Sequence, residues 1–159
     1  EMTFKNAKYW SNKQHWQWAT EPNDREKASF LRDNIMPIQE AGHLNFVEKE
    51  GDLFNNFKTL FVNGHTEAQM IPHITYKEKT IVFAADLLPS TGHIPLPYVM
   101  GYDTRPLLTL TEKEKFLKHA AEQEYILYLQ HDNYSECCTV EQTDRGVRLK
   151  ETFTLSEIL

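Results

Sequence analysis

Three polar side chains in this sequence each follow an apolar, strand-like run. His65 comes after Leu60-Phe61-Val62-Asn63-Gly64, Asp86 after Ile81-Val82-Phe83-Ala84-Ala85, and His131 after Ile126-Leu127-Tyr128-Leu129-Gln130. Loops at strand ends often carry function, because the sheet beneath holds them rigidly. Two imidazoles and a carboxylate converging there suit zinc, iron or manganese, and the carboxylate can bridge two ions. Singly, each residue also has a plainer role. A histidine after a strand can be a turn residue, and Asp86 can cap a turn.

A second group lies in the irregular piece after Asp86, which holds Pro89, Gly92, Pro95, Pro97, Gly101 and Pro106. Irregular loops of this length in a compact domain are often functional. His93 there is a candidate substrate contact. Tyr98 and Tyr102 could line a pocket or donate to an oxyanion, with loop packing as the alternative. Asp103 reads as a turn cap before Arg105-Pro106. His73, beside Pro72 in a strand, reads as structural, and His119 as solvated. Tyr9, Trp10, Trp16 and Trp18 could form a substrate wall or simply pack. The charge runs Glu48–Glu50 and Lys113–Lys115 read as solvated faces. No Gly-rich phosphate loop or Ser-His-Asp spacing is present, and Gly64-His65 is no dinucleotide fingerprint.

The elements that must position these residues are mixed. Ala7–Trp10 reads as a short strand, with Ser11 capping a short aromatic helix. Pro22-Asn23 opens a second helix over Asp24–Gln39, whose Ala28, Leu31, Ile35 and Ile38 fit a helical period and in which Pro37 marks a kink or early end. Leu44–Val47, Lys58–Val62, Met70–Tyr76 and Thr80–Ala85 are short, β-branched and aromatic. Gly51-Asp52, Asn63-Gly64 and Lys77–Lys79 separate them, which is a meander pattern. A helix starting at Thr109 or Thr111 and running to about Gln123 opens on the capping-box pattern Thr111-Glu112-Lys113-Glu114. Tyr125–Leu129 reads as a strand. Cys138–Thr143 and Gly146–Thr154 form a hairpin, with a last turn at Ser156–Leu159.

Composition bounds the function. The chain has 159 residues, enough for one domain or a large part of one, so residues 1–159 are expected to be a single unit. With 40% hydrophobic and 12% aromatic residues it can build a core, which excludes global disorder. A net charge of −6 argues against nucleic acid as a partner. No apolar run approaches a membrane span, and nothing reads as a signal peptide. The two cysteines, Cys137 and Cys138, are adjacent and poorly placed to bridge each other. Strand alternation puts one in and one out, and a reducing, cytoplasmic compartment is expected.

The segment Phe61-Val62-Asn63-Gly64-His65-Thr66, with Ala84-Ala85-Asp86 and Leu129-Gln130-His131, resembles the second half of a metallo-β-lactamase-fold metallohydrolase. The order strand–His, strand–strand–Asp, loop, helix, strand–His runs over about residues 57–132. The opening (Asn6-Ala7-Lys8-Tyr9-Trp10, then Pro22-Asn23-Asp24-Arg25-Glu26-Lys27) is similar to the branch holding quorum-quenching lactonases and organophosphate hydrolases. The resemblance implies an α+β fold: half of an αββα sandwich, a mixed β-sheet with helices on one face. It implies that His65, Asp86 and His131 are metal ligands, that Asp86 bridges two divalent metals (zinc, with iron or manganese as alternatives), and that Asp86 and His131 are catalytic. Hydroxide between the ions would attack an ester, lactone or phosphoester.

The family's His-X-His-X-Asp-His motif is absent from this sequence. The expectation is therefore a C-terminal half, in keeping with Glu1 rather than methionine as first residue. Its partners would be a small-molecule substrate, the missing N-terminal half of the same domain and, through an uncovered sheet face, a second copy of itself. The full-length protein is expected to be an enzyme and this piece alone inactive. The alternative is a non-catalytic binding module that keeps the fold's ligands.

Overall fold

The computed structural model describes residues 3–158. Their packing separates into two compact units that divide between Glu50 and Gly51.

In the first unit, β1 (Tyr9–Ser11) pairs in parallel with β2 (Leu44–Phe46). Helix α1 (Lys13–Thr20) is capped by Asn12, whose side chain accepts from the His15 N–H at 2.7 Å. The cap is one residue beyond the expected Ser11. The helix expected over Asp24–Gln39 is broken. Its first part is a turn, where the Asn23 side chain accepts from the Arg25 and Glu26 N–H groups. Leu31 is then extended (φ −82°, ψ 102°), and α2 runs from Arg32 to Glu40 with Pro37 inside it. Trp18 donates to Glu26 and Trp16 to Gln39, so both indoles are tied within the unit.

The second unit is a seven-stranded sheet of β3 (Gly51–Phe54), β4 (Phe57–Val62), β5 (Gln69–Tyr76), β6 (Lys79–Phe83), β7 (Ile126–Tyr128), β8 (Cys137–Thr143) and β9 (Gly146–Phe153) in sequential order. Every neighbouring pair is antiparallel except β6–β7, which is parallel. A parallel pair needs a long crossover. Here it contains the Pro/Gly-rich loop and α3 (Pro106–Glu122).

Register sorts the two faces. Lys58, His73, Val82, Leu127 and Cys138 lie opposite one another across five strands. This row faces α3, whose Phe116, Leu117 and Ala120 close the core over Ile71, Val82, Leu127 and Val140. Removing a ring such as Phe116 from such a core costs about 3–5 kcal/mol. The next rows, with Ile74, Ile81, Phe83 and Tyr128, point to the other face. There Ile74 is 41% exposed and Phe83 stacks at a tilt on Tyr128.

Three expectations change here and one holds. Gly51-Asp52 is not a separator but the start of β3, which Gly51 enters with φ +117°. Helix α3 begins at Pro106, a residue suited to a first turn because it lacks an N–H to satisfy. Thr111 therefore lies inside the helix and donates to the Leu107 carbonyl instead of capping. Cys137 and Cys138 are both fully buried, because both sheet faces are covered where they lie. His73 is structural as expected: its Nδ1 pairs with the Ile71 carbonyl, its ring meets Phe116 and Tyr125 edge-on, and burial lowers its pKa.

Candidate metal centre

Strand direction gathers the three residues. β4 and β6 both run antiparallel to β5, so they point the same way, and β7 is parallel to β6. The C-terminal ends of β4, β6 and β7 thus share one edge of the sheet, and His65, Asp86 and His131 follow those ends. The edge is drawn together by main-chain bonds. The Ala84 N–H donates to the Tyr128 carbonyl at 3.0 Å and the His131 N–H to the Pro89 carbonyl at 3.0 Å.

The His65 loop is bolted to the start of α3. Glu112 accepts from the Asn63 and Gly64 N–H groups, one carboxylate oxygen each, at 2.8 Å. The Thr104 N–H reaches the His65 carbonyl and the Arg105 N–H the Gly64 carbonyl. Arg105 also donates to the Asn63 carbonyl at 2.7 Å and to Glu67 at 2.6 Å. Gly64 makes this approach feasible. A Cβ there would lie 2.5 Å from the Thr109 main-chain nitrogen.

Asp86 sits in a 3-10 turn (Ala85–Leu87) entered through Ala85 at φ 45°, a left-handed conformation disfavoured for a residue with a Cβ. Strain of this kind is kept where the surroundings enforce it. Its carboxylate divides its two oxygens: Oδ1 lies 3.2 Å from His131 Nε2 and Oδ2 3.6 Å from His65 Nε2. Gln69 donates to Oδ2 at 3.3 Å. The Asp86 and His65 side chains are about one-fifth exposed, and His131 is 53% exposed.

These residues fit divalent cations in kind and spacing. Two ligands of one tetrahedral ion, bound at about 2.0–2.2 Å, lie about 3.3–3.6 Å apart. Both nitrogen–oxygen separations at Asp86 are near that value. Each imidazole faces a different carboxylate oxygen, which suits one shared carboxylate and two ions. No group of three or more His, Cys, Asp or Glu side chains is placed around a single ion position among the described residues. The chain offers two imidazole–carboxylate pairs that share Asp86.

The substrate candidates lie apart from this cluster in hydrogen bonding. His93 Nδ1 pairs with Ser90 Oγ at 2.8 Å, and burial followed by the charge of Lys113 lowers its pKa. Tyr98 and Tyr102 are 61% and 79% exposed. The loop carrying all three is strapped to α3 by Lys113. That residue is 1% exposed, against the expectation of a solvated face, and its ammonium donates to the carbonyls of His93, Pro95 and Tyr98. Burial pulls its pKa down to about 8, with Asp103 pulling the other way.

Asp103 is likewise not a turn cap. Its Oδ1 lies 2.9 Å from His65 Nδ1. Asp103, Glu112 and Gln69 are the site residues that sequence reasoning missed. No local pattern marks Asp103, whose partner lies 38 positions away. Past β7, Asp132 ties the loops at the shared edge together, accepting from Thr91 at 2.9 and 2.7 Å.

No protein-family model and no curated protein matches the sequence. Solved structures do match its fold. A probable metal-dependent hydrolase from Staphylococcus aureus shares 24% identity, with a TM-score of 0.78 over 95% of this chain and 55% of that one. The hydrolase AbOPH of the beta-lactamase superfamily shares 18%, with a TM-score of 0.77 over 94% and 56%. AidC, a dizinc quorum-quenching lactonase solved with a product, shares 22%, with a TM-score of 0.75 over 97% and 58%. The chain spans just over half the length of these proteins. Its fold is a partial metallo-β-lactamase fold, mixed α+β with a seven-stranded sheet.

Proposed function

We propose that this chain is the C-terminal half of a metallo-β-lactamase-like domain, and that the full-length protein is a metal-dependent hydrolase of an ester, lactone or phosphoester. The observation that carries the reading is Asp86, with one oxygen toward His65 and the other toward His131. Lactones lead as substrates because two similar structures hold homoserine products of lactone hydrolysis.

In this reading His65, Asp86 and His131 hold a pair of divalent cations, zinc first, with iron or manganese as alternatives. Bound cations would supply a nucleophile at neutral pH and polarise the scissile oxygen. Asp86 places negative charge between the two positions, and Gln69 steadies it through Oδ2. His131 is held by its own main-chain bond to Pro89. On the neighbouring loop, Tyr98 and Tyr102 offer exposed phenols that can donate to a developing oxyanion. His93 keeps its Nε2 for substrate, its Nδ1 being engaged by Ser90.

A catalytic zinc takes three protein ligands. Each position here gets one imidazole and a share of Asp86, so the other ligands would come from the missing N-terminal half. The isolated 159 residues are then expected to bind zinc weakly and to turn over little. The half-exposed sheet face around Ile74, Phe83 and Tyr128 would be covered by that half or by a second copy. Buried free thiols at Cys137 and Cys138 agree with a cytoplasmic location. No helix among the described residues is long and apolar enough to cross a membrane.

The test is substitution in the full-length protein. His65→Ala or Asp86→Ala should remove metal-dependent hydrolysis of a lactone series. Unchanged turnover would reject the reading, and tight ligand binding without turnover in the unmodified protein would favour a binding module.

A further inference from the structure

Asp103 is a buried carboxylate whose side chain makes a single hydrogen bond among the described residues. Its side chain is 1% exposed. Oδ1 lies 2.9 Å from His65 Nδ1, while Oδ2 is buried with no hydrogen-bond partner among the described residues. Burying a carboxylate costs several kcal/mol unless its surroundings answer it. The cation that shares its field is Lys113, but that ammonium donates to the carbonyls of His93, Pro95 and Tyr98. Among the described residues, the imidazole of His65 is thus the one group that the Asp103 side chain bonds directly.

The backbone makes the contact dependable. The Asp103 N–H is held by the Met100 carbonyl, and the next two N–H groups are held by His65 and Gly64 themselves. Carboxylate and ring therefore sit on two segments tied to each other beside the contact. A carboxylate oxygen accepts, so the imidazole nitrogen facing it carries the proton.

We propose that Asp103 is a positioning residue: it holds His65 in the Nδ1–H tautomer and aims the Nε2 lone pair at Asp86. A neutral side-chain imidazole in water favours the opposite tautomer, so the buried carboxylate must impose this one. The result sets two acceptors, His65 Nε2 and Asp86 Oδ2, 3.6 Å apart, an arrangement that a cation between them relieves. A carboxylate behind a ligating histidine also raises its basicity. The tautomer assignment rests on this chain's own geometry, whereas its consequence for cation affinity rests on the function proposed above.

The experiment separates the two. In metal-free full-length protein, imidazole nitrogen–carbon NMR correlations, followed upward in pH until the ring has lost its extra proton, report the tautomer of neutral His65. The wild type should show Nδ1–H, and Asp103→Ala and Asp103→Leu should move His65 to Nε2–H. Leu keeps the branched arrangement of side-chain heavy atoms and removes the buried charge, and with the smaller Ala beside it guards against reading a loss of folding as a loss of the contact. Zinc affinity, read by competition with a chromophoric chelator, should fall about 10–100-fold in both variants. Nε2–H in the wild type, or an unchanged tautomer in the variants, overturns the proposal. A tautomer switch in a protein that takes up no zinc would uphold the role of Asp103 and sink the metal-dependent reading instead.

Discussion

Gly64 and Thr109 approach so closely that no side chain fits between them. A Cβ on Gly64 would fall 2.3 Å from Thr109 Oγ1 and 2.5 Å from its Cα and N. The hydroxyl could rotate aside, but the Cα and N are helix backbone and cannot. Gly64→Ala should therefore push the His65 loop off α3. We expect a loss of about 1–3 kcal/mol, the range for overpacking, and weaker zinc binding by the full-length protein. Urea midpoints and a chelator competition check both. An Ala variant of wild-type stability would mean the loop and helix are not clamped.

Asp132 gives a prediction in acid. Burial would raise its pKa, but hydrogen bonds from Thr91, Tyr134 and Ser135 bring it down to about 2. Its stabilisation is present above the unfolded carboxylate value of about 3.9 and is lost as pH falls through about 2. Asp132→Asn should cost about 1–3 kcal/mol at neutral pH. The gap from wild type should close between about pH 4 and pH 2. Urea titrations across that range read it directly, and a gap independent of pH would refute the assignment.

Lys113 predicts the opposite limb. Its folded pKa, near 8, lies below the ordinary lysine value of 10.5. Between those values the unfolded chain binds more protons, so stability rises with pH through the window. Lys113→Met should flatten that rise. It should also release the carbonyls of His93, Pro95 and Tyr98, seen as faster amide exchange in that loop. Equal slopes in the two proteins would show that the ammonium is solvated after all.

Burial, with the Glu136 carboxylate, pushes the Cys137 thiol up to about 11. Burial, with Cys137 and Asp132, pushes Cys138 up to about 12. Only thiolates react readily. Native protein should resist a thiol-specific disulfide reagent until denaturant unfolds it, when both cysteines react. Rapid labelling of the native state would contradict the packing of β8.

The strand-end residues were legible in the sequence because their signal is local. An apolar run fixes a strand, and the residue after it falls at the sheet edge. What the residues themselves do not encode is direction, and direction unites the three sites, since β4, β6 and β7 point one way. The supporting residues were illegible for a related reason. Asp103 serves a ring 38 positions away, and Glu112 serves main-chain groups 48 and 49 positions away. Lys113 had a readable clue. Thr109, Lys113, Phe116, Leu117 and Ala120 form one buried helical stripe, and charge outweighed spacing in the sequence reading. The long helix expected over Asp24–Gln39 failed because a correct apolar period says nothing of the extended backbone at Leu31.

The sharing of Asp86 between His65 and His131 is tested most directly by metal content. Full-length protein and its Asp86→Ala variant, purified alike, would be weighed for bound metal by elemental analysis and assayed on the same lactone. The account predicts two divalent ions per wild-type molecule, with both metal and turnover collapsing in the variant. A variant that keeps its full metal complement and its activity would contradict it.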